Sequence, residues 1–292
     1  MMTLDAAVNP TGLRPAATES RVIERLRAGR WTRDEDLLAS EEPMEIRLLW
    51  DEEGMPARKS ISVTMRTPGN DFELAAGFLA GESIIASRDD VVDIAYCTDE
   101  AEEQAYNIVT VTLRPGPKPD LDRLERNFFT TSSCGVCGKA SLEALEVSGC
   151  HMVGPGFQIA VDVVQRLPGR LREAQRVFDS TGGLHAAGLF TRDGELVSLR
   201  EDVGRHNAVD KLIGERILAG AMPLSDYALM LSGRASFELL QKALVARIPV
   251  VCAVGAPSSL AVKLADAFGV TLAGFVRADG FNVYAGRERI TD

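Results

Sequence analysis

The chain has 292 residues, 46% of them hydrophobic and 25% charged, which excludes a disordered or fibrous protein and leaves room for one large domain or two lobes. A formal net charge of −10 excludes an extended nucleic-acid footprint, although it leaves a local cationic pocket open. No apolar run reaches the length of a membrane span, the start lacks a secretory pattern, and five cysteines suit no disulfide framework, so a cytoplasmic protein with reduced thiols is expected.

In chain order, residues 1–38 are rich in Ala, Pro, Thr and Arg with weak periodicity, and read as a mobile tail with one short helix. Strands follow at 44–50 and 60–65, joined by a turn at Asp51-Glu52-Glu53-Gly54. A helix spans 72–82, with Asn70 or Asp71 as its cap, and further strands lie at 91–97 and 106–113. The acidic run 99–103 is a solvated loop. This α+β lobe, over 39–126, carries no evident chemistry. A Pro-rich connector at 114–119, a short helix at 121–127 and another at 141–146 flank the segment Thr130-Thr131-Ser132-Ser133-Cys134-Gly135-Val136-Cys137-Gly138-Lys139.

The last 110 or so residues have a clearer rhythm. A hairpin over 189–199 precedes helices at 208–218, 237–247 and 260–268, which alternate with strands at 227–231, 250–254 and 271–275. Such alternation indicates βαβ units in a largely parallel or mixed sheet, an α/β lobe over 127–292. Ligands of open α/β sheets bind beyond the carboxyl ends of the strands. The segments there are 201–207, 232–236, 255–259 and 277–280, small or polar in character, and three of them contain arginine (Arg205, Arg234 and Arg277). Their convergence would make a crevice of backbone N–H groups and guanidinium forks suited to phosphate.

The paired cysteines admit several chemistries. A structural zinc site needs four ligands, and no second paired spacing exists among Cys97, Cys150, Cys252, His151, His185 and His206. A zinc deaminase needs a glutamate two residues after its histidine, where His185 is followed by Ala187, so no metal is expected. A thioredoxin-like dithiol suits the spacing, but not this polar loop well inside the chain. A thiolate nucleophile and carrier remains, beside the plain alternative of two cysteines that merely share a loop. A helix N-terminus from Gly138 and the neighbouring Lys139 would lower the thiol pKa, and Gly135 and Gly138 would admit a bulky electrophile. Cys252 belongs to an apolar strand, Cys97 and Cys150 read as packing residues, and His206 as a cap, packing group or ligand.

The block 132–139 resembles the signature of the formate dehydrogenase accessory sulfurtransferases, the FdhD family. So do Thr181-Gly182-Gly183-Leu184-His185-Ala186-Ala187, the run 201–211 from Glu201 to Lys211, Ser232-Gly233-Arg234-Ala235-Ser236-Phe237-Glu238, and the terminal stretches 274–277 and 281–284. The likeness runs in order from about residue 40 to the end. It implies a cytidine-deaminase-like three-layer α/β lobe, a homodimer, and a sulfur relay. In that relay a cysteine desulfurase hands persulfide sulfur to the protein. The sulfur then passes to the molybdenum (or tungsten) bis(guanine dinucleotide) pterin cofactor of formate dehydrogenase, for which a guanine nucleotide can substitute in binding. Cys134 is the implied persulfide carrier and Cys137 its relay or assistant. The implied cofactor contacts are Phe275, Val276, Arg277, Ala278, Asp279 and Gly280, with Gly183, His185, Arg205, Ser232 and Arg234. A non-catalytic chaperone that delivers the cofactor is the alternative, and a dithiol oxidoreductase a third.

Overall fold

The computed structural model describes residues 16–97, 105–116, 119–121 and 152–292. The acidic run 99–103, part of the Pro-rich connector, the helices expected near 121–127 and 141–146, both cysteines of the CxxC segment, Cys150 and His151 lie outside these residues.

Where the sequence reading places a tail with one helix, two strands pair as an antiparallel ribbon, β1 (Thr18–Arg27) and β2 (Arg30–Ala39). The turn explains the difference. Ala28 and Gly29 both take positive φ, 48° and 76°, a two-residue turn whose twist matches that of paired strands. The register puts Leu26 beside Trp31 and Ser20 beside Leu37, so that Val22, Leu26, Trp31 and Leu37 share one exposed apolar face. The opposite face carries the Arg25–Asp34 ion pair.

A four-stranded sheet follows, built from β3 (Glu42–Glu52), β4 (Met55–Arg66), β5 (Val91–Tyr96) and β6 (Ile108–Leu113) in the order β4-β3-β6-β5. Between β4 and β5 lies α1 (Asp71–Gly81). Alternate residues Met44, Ile46, Leu48 and Trp50 of β3 point into a hydrophobic cluster that also takes in Leu74 and Leu79 of α1.

The second part opens with β7 (Ile159–Ala160), α2 (Val161–Ala174) and α3 (Arg176–Thr181). Next come β8 (His185–Phe190), β9 (Leu196–Asp202) and α4 (Arg205–Leu218). Two strand–helix units, β10 (Ala228–Leu231) with α5 (Phe237–Val245) and β11 (Val250–Ala253) with α6 (Ser259–Phe268), then lead to β12 (Thr271–Arg277), β13 (Gly280–Ala285) and β14 (Ile290–Thr291). The main sheet has the order β13-β12-β11-β10-β8-β9. It is parallel only across β10, β11 and β12, because β8, β9 and β13 are joined by short turns and run antiparallel. The sheet is therefore mixed rather than largely parallel.

Its central strands are buried on both faces, as covered parallel strands must be. Leu229, Leu231, Val251, Ala253 and Leu272 face the cluster shared with α1, α4, α5 and α6, while Ala228, Met230, Val250, Cys252 and Ala273 face a second cluster under α2. Burial pushes the Cys252 thiol up to about 12, as suits an inert packing residue. No described helix is long and apolar enough to cross a membrane.

One hydrophobic cluster thus runs from Met44 of the first sheet to Ala285 of the second, with α1 and α4 as the layer between them. Those two helices meet backbone to backbone. A Cβ added at Gly77 would collide with the carbonyl of Asp210, and one at Gly214 with the carbonyl of Glu73. Arg200 of β9 adds a two-pronged pair with Glu73, at 2.5 and 2.9 Å.

Gly214→Ala is expected to destabilise the protein by about 3 kcal/mol, because a rigid backbone carbonyl cannot yield to the added methyl. Gly169→Ala, with open space around its Cβ in α2, should stabilise by about 0.5–1 kcal/mol. Urea unfolding of both variants checks the pair; equal midpoints would contradict the close helix crossing.

Candidate functional site

The topology decides what meets what. Since β8 runs antiparallel to β10, its first residue His185 lies at the same end of the sheet as the carboxyl ends of β10, β11 and β12. Asp202, the last residue of β9, pairs with His185. That end therefore collects the start of β8, the β9–α4 turn, and the loops after β10, β11 and β12.

A ladder of backbone bonds locks these loops together. The Gly255 N–H donates to the Gly233 carbonyl (2.8 Å), and the Phe275 N–H donates to the Gly255 carbonyl (3.2 Å). Gly255 is needed here, since a Cβ would press on the backbone of Gly233 and Arg234. The loops after β10 and β11 run parallel through an Ala235–Pro257 bridge and end as the caps of α5 and α6 at Ser236 and Ser258.

The turn into α4 is held from beneath by a buried carboxylate. Asp202 accepts from the Gly204 N–H (2.8 Å), the Asn207 amide (3.0 Å) and the Thr67 N–H (3.1 Å), and pairs with Lys211 at 2.7 Å. Lys211 also donates to the Thr67 carbonyl (2.7 Å), and Asn207 to the Met65 carbonyl (2.7 Å). This knot sets the start of α4, whose first turn has no side-chain cap among the described residues, and a helix N-terminus is a favourable place for an anion.

The electrostatics favour the same ligand. Burial, followed by the charges of Arg205, His206 and Arg234, holds His185 below its ordinary range, so the ring is neutral at neutral pH. The Nε of Arg205 is buried and has no hydrogen-bond partner among the described residues. Glu238 is held at about 2, chiefly by its hydrogen bond with His206 and also by Ser236, against a burial effect in the other direction.

A cavity of about 470 Å³ opens beside this cluster. Gly183, His185, Ser232 and Val254 form its strand-end side, and Leu171, Arg172, Gln175 and Phe178 of α2 and α3 its far side. The Ser232 hydroxyl is fixed as acceptor of the Ala186 N–H at 2.8 Å. Arg277 stands at the rim and donates to the carbonyl of Val254 at 2.8 Å.

Of the residues singled out in the sequence, Gly183, His185 and Ser232 line this cavity, and Arg205 and Arg234 lie near enough to act on His185. Phe275 is exposed with a φ of 54°, Ala278 and Asp279 are exposed in the β12–β13 turn, and Gly280 opens β13. Val276 differs: its side chain is fully buried in the second cluster, which leaves only its backbone for a ligand. Cys134 and Cys137 lie outside the described residues. Sequence reading missed the far wall altogether. Val163, Val164, Leu167 and Leu171 of α2 have helical spacing, but Pro168-Gly169 interrupts the run with a turn-like dipeptide.

The model of the FdhD/NarQ family matches residues 39–291. A protein of Streptomyces avermitilis named sulfur carrier protein FdhD is 52% identical over 278 residues, covering 94% of this chain and 95% of its own. Proteins of the same name from Mycobacterium tuberculosis and Sulfurisphaera tokodaii are 50% and 44% identical, over 94% and 88% of this chain and 99% and 92% of theirs. The crystal structure of a candidate formate dehydrogenase accessory protein from Desulfotalea psychrophila superposes with a TM-score of 0.70 at 24% identity, covering 94% of this chain and all of that one, and so shares the fold.

An anion bound against His185 would restore its affinity for a proton. Calorimetry of inorganic pyrophosphate binding near pH 6.5, in two buffers of different ionisation enthalpy, should show proton uptake in the wild type and none in His185→Gln. The stability sign is also defined. A histidine with a depressed folded pKa costs nothing above its unfolded value of about 6.5, and destabilises the fold as pH falls below that value toward the folded pKa.

Proposed function

The chain belongs to the FdhD/NarQ family, and we propose that it is a cytoplasmic sulfur carrier in which Cys134 holds sulfane sulfur destined for a molybdenum or tungsten bis(guanine dinucleotide) pterin cofactor. The observation that carries this reading is the convergence of four strand-end loops on one crevice with His185, Arg205, His206 and Arg234 around it. Such a crevice suits the pyrophosphate of a dinucleotide. The name sulfur carrier, borne by relatives that align over nearly the whole chain, supports the role of the thiols.

The chemistry follows from thiol–persulfide exchange. The Cys134 thiolate attacks the outer sulfur of a persulfide on a cysteine desulfurase. A new S–S bond forms on Cys134, the donor's S–S bond breaks, and the electron pair leaves with the donor's thiolate. Attack of the Cys137 thiolate on Cys134 Sγ then expels hydrosulfide to the bound cofactor and leaves a Cys134–Cys137 disulfide, which a dithiol reductant reopens. The protein is in this sense a sulfurtransferase serving formate dehydrogenase. A reduced cytoplasm keeps both thiols available.

A homodimer is part of the same reading. The ribbon rests on α3 through β2, and the exposed face of Val22, Leu26, Trp31 and Leu37 is the surface it leaves for a second copy across a two-fold axis.

Incubation with a cysteine desulfurase and cysteine should add one sulfur atom by intact mass spectrometry, removable by dithiothreitol and absent in Cys134→Ala. No gain in the wild type would sink the carrier reading. Activation of formate dehydrogenase by Cys134→Ala,Cys137→Ala would favour a non-catalytic chaperone instead. Sedimentation velocity should find a dimer that Trp31→Glu converts to monomer, and a wild-type monomer would remove that part of the proposal.

A further inference from the structure

At the amino ends of the parallel strands, opposite the crevice, a second cavity of about 710 Å³ opens. Its apolar wall is formed by Ile213 and Ile217 of α4, Leu244 and Val245 of α5, Met222 ahead of β10, and Ile84 just after α1. The Leu224 N–H donates to the Ala246 carbonyl at 3.0 Å, which ties the approach to β10 to the end of α5. The volume lies in the range of binding pockets.

Three helices end beside this cavity in the same way. At α1 the N–H groups of Ser83 and Ile84 return to the carbonyls of Ala80 and Leu79. At α4 those of Gly220 and Ala221 return to Ile217 and Arg216, and at α5 those of Arg247 and Ile248 return to Leu244 and Ala243. Such a closure takes a left-handed residue, which glycine supplies without steric cost. Gly220 does so, but Ser83 and Arg247 adopt φ of 60° and 61° while carrying side chains. Both are exposed and both line the cavity. Strain kept at two residues on one cavity mouth points to a role for those side chains other than stability.

The charges on the mouth are unequal. Asp90, the one carboxylate among the described wall residues, already accepts from the N–H groups of Ala86 (2.7 Å) and Ser87 (2.8 Å). The Arg247 guanidinium has no ion pair or hydrogen-bond partner among the described residues. What complements the cavity is therefore an apolar side chain with a carboxylate beside it. Position narrows the partner further. A protein seated here leaves the crevice free, and the wall is bonded to the strand that leads on toward the CxxC segment: the Arg114 N–H, just past β6, donates to the Asp90 carbonyl at 2.8 Å.

We infer that this cavity is the docking site for the sulfur donor, in which an apolar side chain of a cysteine desulfurase enters between Ile84, Met222 and Val245 while a neighbouring carboxylate of that protein pairs with Arg247. The inference rests on the sulfur-carrier reading and adds the surface by which the donor is recognised. Arg247 carries the specificity, since an apolar mouth alone would accept any exposed apolar side chain.

Two measurements on the full-length protein test this: calorimetric binding of a cysteine desulfurase, and sulfur loading of Cys134 by intact mass. Arg247→Gly should bind the desulfurase about tenfold more weakly, while its thermal midpoint matches or exceeds the wild type because glycine relieves the backbone. A purely structural role would not separate the two readouts in that way. Ala86→Trp, at an exposed position of the mouth, should fill the cavity and weaken the association similarly. In both variants loading should slow at low desulfurase concentration and recover at saturation. Loading from sodium polysulfide, which needs no docking, should keep the wild-type rate. Unchanged desulfurase affinity in either variant overturns the inference and leaves the carrier reading standing. So does a wild type that loads from polysulfide without associating with the desulfurase. If Ala86→Trp instead breaks a dimer, a second copy is the occupant and the inference falls. A wild type that takes sulfur from neither source overturns the carrier reading itself.

Discussion

The Asp202 carboxylate is the point on which the geometry turns. It is fully buried, and it accepts from Thr67 of the first sheet's exit and from Gly204 and Asn207 of the second sheet's first strand–helix turn, with Lys211 as counter-ion. A charge so placed is tolerable only with its full set of donors, and removing one partner of such a pair generally costs about 3–5 kcal/mol. Its satisfaction fixes the end of β4 against the start of α4 to within hydrogen-bond tolerance. The same contact places the first turn of α4, and with it Arg205 and His206, close enough to act on His185. One interaction thus sets both the relation of the two sheets and the charge of the site.

Packing follows the same line. Helices α1 and α4 touch at Gly77 and Gly214, which lets them serve as a single layer between two sheets. The first sheet has no chemistry of its own, yet it braces the second: Arg200–Glu73 and the Thr67 contacts both reach from its helix and strand exits to β9 and α4. The loops that form the site are short and backbone-bonded to one another, so the crevice is a rigid feature of the sheet end. Rigidity suits a site that must present fixed N–H groups to a charged ligand.

Arg205, His206 and Arg234 gather round His185 in a chain whose net charge is −10, with Asp202 and Glu238 as the carboxylates beside them. Burial of its ring, and then the charges of Arg205, His206 and Arg234, push His185 toward neutrality. A bound anion offsets the repulsion from these cations. The crevice therefore gains most from a ligand that brings two negative groups, and the chamber beyond it is lined mainly by side chains rather than charge.

Much of this was legible in residues alone. The βαβ rhythm of Leu229, Val251 and Leu272 with their intervening helices was plain, and the strand-end rule named Arg205, Arg234 and Arg277 before any coordinates. The CxxC pair and the ordered signature blocks pointed to the family. Local pattern is enough there, because buried strands and amphipathic helices write their period into the sequence. The α2 helix escaped notice because Pro168-Gly169 looks like a turn, and the ribbon because its register depends on a positive-φ pair at Ala28-Gly29 that includes a non-glycine residue. The buried knot at Asp202 and the Gln175 wall could not be read at all. The first joins Thr67 to Asp202, and the cavity is lined by both Gln175 and Ser232, residues far apart in the chain. Only the packing of α1 on α4 and of α2 on the sheet brings such pairs together. Local pattern was enough for most of the elements, the thiols and the basic loops; which end of the sheet they share, and what cavity they enclose, came from the long-range packing that no local pattern encodes.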